Sequence, residues 1–341
     1  MRLLFVGFGT VGQGLAELLL GKKDFLSKTY GFDPVVVGIS DELKGSALNA
    51  KGIDLQEALD LVKAGTSLCE VKDSSFDGDA VSLIKEADAD VMLEATYTNI
   101  KTAEPATTHI KTALAKGMHV ATTNKGPLAL NYLELDKIAR DKDVKFLFEG
   151  TVMSGTPLIN LMRETLAGSE IQEIKGILNG TTNYILTRME DGLAYEEALK
   201  KAQELGYAEA VPDADVLGWD ALAKVTILAT VFFGAQSDPF DYPCEGITGI
   251  TASAIVDAKN RGKRFKLIGK VWREGDYVKA SVGPEEVDLT HPLASVLGAT
   301  NAVTITTDTL GDVTIVGAGA GKIETGFSLL NDLLHIAVHA K

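Results

Sequence analysis

Apolar runs recur along the first half of the chain, and each is followed by a stretch with helical spacing. RLLFV (2–6), PVVVGIS (34–40), VMLEA (91–95), MHVAT (118–122) and VKFLF (144–148) read as buried strands. Amphipathic stretches intervene: one running to about Leu20, then DLQEALDLVKAG (54–65), TTHIKTALAKG and NYLELDKIARD. Asp54 fits an N-cap and Gly65 a C-terminal stop. Strands that are apolar throughout and separated by helices predict a parallel sheet covered on both faces.

The pattern changes after Gly150. TPLINLMRETLAG (156–168) has helical spacing, IQEIKGIL (171–178) reads as a strand, and two or three helices follow up to about Phe233. Alternating runs then return in KRFKLIGKVWR, YVKASVG, NAVTITT and DVTIVGAG. Helices grouped together and then strands grouped together predict an α+β second domain with a mostly antiparallel sheet. The final segment reads as a helix with Phe327, Leu330, Leu334 and Val338 on its apolar side. The fold class predicted is therefore α/β, with the domain junction near residue 150.

Composition narrows the function. The chain has 341 residues, enough for two domains, with 45% hydrophobic and 23% charged residues. Its net charge of −14 repels a phosphate backbone, so nucleic acid is not an expected partner. No uninterrupted apolar run of about 20 residues predicts a membrane span. Cys69 and Cys244 form no CxxC pair, which fits reduced thiols in the cytoplasm.

VGFGTVGQG places Gly7, Gly9 and Gly12 in GxGxxG spacing after a strand and before a helix. That context is a dinucleotide-binding turn, in which Thr10 and Val11 open the helix towards a pyrophosphate. Asp41, after the second strand, fits a ribose hydroxyl and NAD. It lies further on than the usual ~20 residues, an excess that the insertion KKDFLSKTYGFD accounts for. Lys44 and Lys51 stand near enough to favour NADP instead, and the sequence leaves that choice open. The late GAGAGK (317–322) lacks the P-loop spacing and has Ile323 where Ser or Thr belongs, so it reads as a backbone turn beside the cofactor that includes Gly321.

Two lysines stand in unusual company. Lys125, in HVATTNKGPLAL, follows a buried strand, at the carboxyl edge where parallel sheets bind ligands. Lys224 lies in LGWDALAKVTILATVFFG, where Asp220 is its charged neighbour four residues earlier. An apolar helix around the pair argues for burial, which penalises an ammonium and suits proton transfer. Glu209 and Asp215, in the preceding loop, fit a substrate ammonium.

Together GFGTVGQG, TNIKTAEPATTHIKTAL, HVATTNKGPLAL, EGTVMSGTPLI, GILNGTTNYILTRM, GYAEAVPDADVLGWDALAK and GAGAGKIET span nearly the whole chain, and in this order they resemble homoserine dehydrogenase. The resemblance is to the short archaeal-type form without kinase or regulatory domains. It implies an NAD- or NADP-linked interconversion of L-homoserine and L-aspartate 4-semialdehyde, in threonine and methionine biosynthesis. It implies a Rossmann domain of residues 1–150 plus about 311–341, a substrate and dimerisation domain of 151–310, and a homodimer. It makes Lys125 and Lys224 the catalytic lysines, with Asp220 beside the second. Gly180, Thr181, Tyr207, Glu209 and Asp215 would line the substrate site, and Thr96 and Asn124 the nicotinamide end. A monovalent cation, sodium or potassium, would sit at Glu149, Val152, Ser154 and Thr156, mainly on backbone carbonyls. The family usually reads E-x-D-P where this chain has Glu209-Ala210-Val211-Pro212, and carries a polar residue where it has Leu217. Those departures leave room for a dehydrogenase of another small amino or hydroxy acid, while a catalytically silent nucleotide-binding protein would not need both lysines. His335 and His339 lie four apart, with no third metal ligand evident.

Overall fold

The computed structural model describes residues 1–235, 238 and 241–339, except the side chain of His339. The chain forms two compact units, Met1–Gly155 with Gly321–Lys341, and Thr156–Ala320. The first holds strands β1 (Arg2–Val6), β2 (Val35–Asp41), β3 (Gly45–Leu48), β4 (Val91–Glu94), β5 (His119–Thr122) and β6 (Phe146–Leu147). Their order is β3-β2-β1-β4-β5-β6. Every pairing is parallel except that of β3 with β2. The sequence did not predict β3, because four residues behind a tight turn carry no periodicity to read. Chain order reverses between β1 and β4, which opens a crevice at the carboxyl ends of those strands.

The helix Lys322–His339 returns to this unit. It buries Leu329, Leu330, Leu333 and Ile336 in a core shared with Leu3, Phe5, Phe8 and Leu15. Phe327 and Val338, read from the sequence as part of the buried side, are 42% and 49% exposed. The true stripe is rotated from the predicted one, because the helix packs on the early helix Thr10–Gly21 along 329, 330, 333 and 336.

The second unit holds β7 (Ile171–Ile177), β8 (Lys263–Glu274), β9 (Tyr277–Asp288), β10 (Thr300–Thr307) and β11 (Gly311–Ala318) in the order β11-β10-β7-β8-β9. All these pairings are antiparallel. β11, grouped with this unit by its strand pattern but with the first by the boundary that the resemblance implied, runs along β10 from Thr300 opposite Ala318 to Thr307 opposite Gly311. The helices Gly180–Glu190 and Trp219–Phe233 belong to this unit, and the second of them is buried nearly throughout. Within the segment predicted helical over 156–168, Leu161–Thr165 forms a π-helical turn.

Candidate active site

The glycine turn is shaped for close approach. Gly7 has φ +97°, and a Cβ there would strike the backbone of Ala95 and Thr96. A Cβ at Gly12 would strike the Gly7 carbonyl, whereas nothing lies within 4 Å of one placed on Gly9. The turn is thus packed underneath and open above, at the start of the helix Thr10–Gly21 that contains Val11. An anion fits there, because the first amide hydrogens of a helix lack intrahelical acceptors. A cleft of about 940 Å³ runs past Gly7, Gly9, Asp41, Lys44, Thr96 and Tyr97.

Asp41 ends β2, as expected, and the excess spacing before it is filled by the helix Lys23–Tyr30. Its carboxylate accepts Phe8 N–H at 2.9 Å, Leu43 N–H at 3.1 Å and the Lys44 ammonium at 3.1 Å. On the other side of β1, the ends of β4 and β5 are tied together. Asn124 caps the helix Lys125–Asp141, and its Nδ2 donates to the carbonyls of Thr96 at 3.3 Å and Tyr97 at 3.0 Å. Lys125 is the first residue of that helix and is half-buried. Between the two strand ends lies Glu94, a fully buried carboxylate that accepts from the hydroxyls of Thr96 and of Thr122, the latter at 3.1 Å.

Gly321 has φ +142° and precedes the terminal helix. The lysine after it, Lys322, pairs with Glu17 at 2.6 Å. Glu149, Val152 and Ser154 are buried around the one-turn helix Gly150–Met153, and Ser154 has φ +52°. Thr156, in the second unit, donates to Ala318 O at 2.9 Å. Among the described residues no group of three His, Cys, Asp or Glu could hold a metal, and the His339 side chain lies outside them.

The second unit gathers the carboxylates and Lys224. Lys224 is 7% exposed; its Nζ lies 2.7 Å from Asp220 Oδ2 and donates to Leu178 O at 2.6 Å. Asn179 Nδ2 spans the two aspartates, at 2.6 Å from Asp215 Oδ1 and 3.0 Å from Asp220 Oδ2. Its Oδ1 caps the helix Gly180–Glu190 by accepting Thr182 N–H at 2.9 Å. The Asp215 carboxyl is pushed above its ordinary range, chiefly by burial, with the Asp220 charge adding to it. The Asn179 and Thr181 hydrogen bonds and the Lys224 ammonium work the other way. Thr181 donates to Tyr207 O at 2.5 Å, which ties the loop to this helix. Lys224, Asp220, Asp215, Gly180, Thr181 and Tyr207 are therefore brought together. Glu209 is exposed on the same loop, where its carbonyl accepts from Gln203. Val211 is 73% exposed, so its departure from the family pattern meets solvent rather than the Lys224–Asp220 pair.

Asn179, Glu94 and Lys266 are buried polar residues that escaped the sequence reading. Asn179 precedes GTTNYIL directly, the N-cap position that could have drawn attention to it. Glu94 is a charge inside the apolar run VMLEA, the same kind of signal that singled out Lys224. Lys266, on β8, is 2% exposed and donates to Asn183 Oδ1 at 2.8 Å and Val296 O at 2.6 Å. Nothing in KRFKLIGK sets it apart from its lysine neighbours.

Comparison with known proteins adds to this geometry. Residues 7–149 match a family model described as homoserine dehydrogenase, NAD binding domain, and residues 157–334 one described as homoserine dehydrogenase. An NAD(+)-dependent homoserine dehydrogenase of Pseudomonas canavaninivorans is 44% identical, over 98% of this chain and 96% of its own length. A homoserine dehydrogenase of Methanocaldococcus jannaschii is 43% identical over 98% of each. A hyperthermophilic archaeal homoserine dehydrogenase in complex with NADPH superposes with a TM-score of 0.83 at 30% identity, covering 100% of this chain and 98% of that one.

Proposed function

The chain belongs to the homoserine dehydrogenase family, and we propose from that premise a role for each group in its NAD(P)-linked interconversion of L-homoserine and L-aspartate 4-semialdehyde. The observation that carries the assignment is the hydrogen-bonded cluster of the buried Lys224 and Asn179 with the partly buried Asp220 and Asp215. The glycine turn of Gly7, Gly9 and Gly12 would hold the nicotinamide cofactor, which when bound would supply the hydride acceptor or donor. Lys224 moves the proton: its Nζ receives it from the substrate hydroxyl during oxidation and gives it back during reduction. Asp220 and the Leu178 carbonyl hold that nitrogen, which leaves its third position for the substrate oxygen. Asp215 takes the substrate ammonium with Glu209, while Gly180 and Thr181 offer a helix N-terminus to its carboxylate. Lys125, opening its own helix beside Asn124 and Thr96, is the second catalytic lysine. Steady-state assays with L-homoserine test this reading, and turnover confined to another small hydroxy acid would replace it.

NAD is the preferred cofactor in this proposal. Asp41, Glu42, Asp77 and Asp79 line the cleft together with Lys44, so a 2′-phosphate beside Asp41 would face carboxylates. The NAD-dependent Pseudomonas relative is in keeping with this. The expected kcat/KM for NAD exceeds that for NADP by about ten-fold or more, which is about 1.4 kcal/mol or more of discrimination. Asp41→Ser is expected to narrow the ratio. Equal use of both cofactors by the parent protein would overturn the preference.

A monovalent cation is assigned to the backbone of Glu149, Val152 and Ser154. One helical turn cannot satisfy its own C-terminal carbonyls, and such oxygens suit sodium or potassium. The homodimer is assigned to the unit Thr156–Ala320. No described helix is long and apolar enough to cross a membrane, and Cys69 and Cys244 are free thiols, in keeping with the cytoplasm.

The raised Asp215 carboxyl gives this reading a pH signature. Its ionised form holds the substrate ammonium, so acidification should raise KM for homoserine at a pH above the ordinary aspartate value of 3.8. Asp215→Asn should raise KM about ten-fold and flatten that acid limb. The sign for stability is opposite. A carboxyl with a raised folded-state pKa favours the folded state at low pH, and that contribution is lost as pH rises through the raised value. At pH 7 the Asn variant should therefore melt no lower than the parent. A KM–pH profile identical in parent and variant would remove Asp215 from ammonium binding.

A further inference from the structure

Glu94 ends β4 with its side chain fully buried. Three elements converge on its carboxylate. Thr96 donates its hydroxyl and, at 3.3 Å, its N–H; Thr122, ending β5, donates its hydroxyl at 3.1 Å; and His109 Nδ1, on the helix Ala106–Lys116, lies 3.8 Å away. Thr96 and His109 both line the 940 Å³ cleft. The topology says which end of the cofactor this is. Asp41 marks the ribose side at the end of β2, and β4 lies across β1 from it, so the nicotinamide half falls at β4 and β5.

A nicotinamide ring carries one positive charge when oxidised and none when reduced. We propose that Glu94 sets the preference of this half-site for the oxidised, positively charged ring. The inference rests on the NAD(P)-dependent reading and deepens it. A carboxylate sealed from water acts at low effective dielectric, so it favours a cationic ring in that half-site by about ten-fold or more. A carboxylate is not needed merely to tie Thr96 and Thr122 together, because a neutral amide could serve both hydroxyls. The fixed charge serves instead to distinguish two forms of one cofactor that have nearly the same shape.

The test is binding of NAD+ and NADH to the full chain without substrate, by calorimetry and NADH fluorescence. In Glu94→Gln the Kd for NAD+ should rise about ten-fold while that for NADH stays within about three-fold. Glu94→Asp, which keeps the charge, should hold the parent's ratio of the two constants to within about three-fold. Equal weakening of both forms by Glu94→Gln would mean a purely structural role and would overturn the inference. Should Glu94→Gln not fold, the parent protein decides. NAD+ bound at least as tightly as NADH supports the inference, and tighter binding of NADH overturns it. Failure of the parent to bind either form would sink the cofactor reading itself, an outcome distinct from both.

Discussion

Replacing Lys224 with Ala is expected to lower kcat for homoserine oxidation by roughly 10²–10⁴-fold, the range for removing a general acid/base. Cofactor affinity should hold, because the glycine turn is built from other residues in the other unit. The loss has two sources that can be separated. The variant removes the proton carrier, and it also strips Asp220 of the ammonium 2.7 Å away. The Asp220 side chain is 18% exposed and stays bonded to Asn179, so losing the ammonium beside it should cost about 3 kcal/mol of stability. Lys224→Arg restores a cation beside Asp220 but cannot release a proton at working pH. It should recover much of the melting temperature and almost none of the kcat. Activity within a few-fold of the parent in either variant would remove Lys224 from proton transfer.

A second large effect is expected at the glycine turn, where two substitutions should fail in different ways. Gly7→Ala places a methyl group against the backbone of Ala95 and Thr96, in a left-handed conformation that an L side chain adopts at a cost. It should destabilise the first unit by roughly 2–4 kcal/mol and raise the cofactor Kd at least about 100-fold. Gly9→Ala meets nothing within 4 Å. It should fold with a melting temperature near the parent's and still lose cofactor, because the methyl group fills the space left for a pyrophosphate. Calorimetric titration beside thermal melts distinguishes the two. Parent-like cofactor binding by Gly9→Ala would show that the pyrophosphate does not lie over that turn.

The parallel half of the fold was legible because buried parallel strands are apolar from end to end and helices punctuate them. RLLFV, PVVVGIS, VMLEA and MHVAT each cover all or nearly all of a strand of the central sheet. The antiparallel β3 and the rotated stripe of the terminal helix were not legible, since both depend on a surface supplied by another part of the chain. The partner of β11 was not legible for the same reason. Nothing inside DVTIVGA says that its partner is β10, because register is fixed by the facing strand.

The candidate site divides along the same line. The sequence by itself determined the glycine turn, the two lysines and the pairing of Asp220 with Lys224, because each is a local pattern of spacing within a few residues. Only the tertiary structure decided that Asn179 joins Asp215 to Asp220, across 36 and 41 positions of chain. It also decided that burial raises the Asp215 carboxyl, that Val211 stands in solvent, and that Glu94 lies sealed against Thr96. Charge and hydrogen-bonding capacity are properties of a residue type. Desolvation and the identity of a partner are properties of the space around it, and that space is made by packing distant segments together.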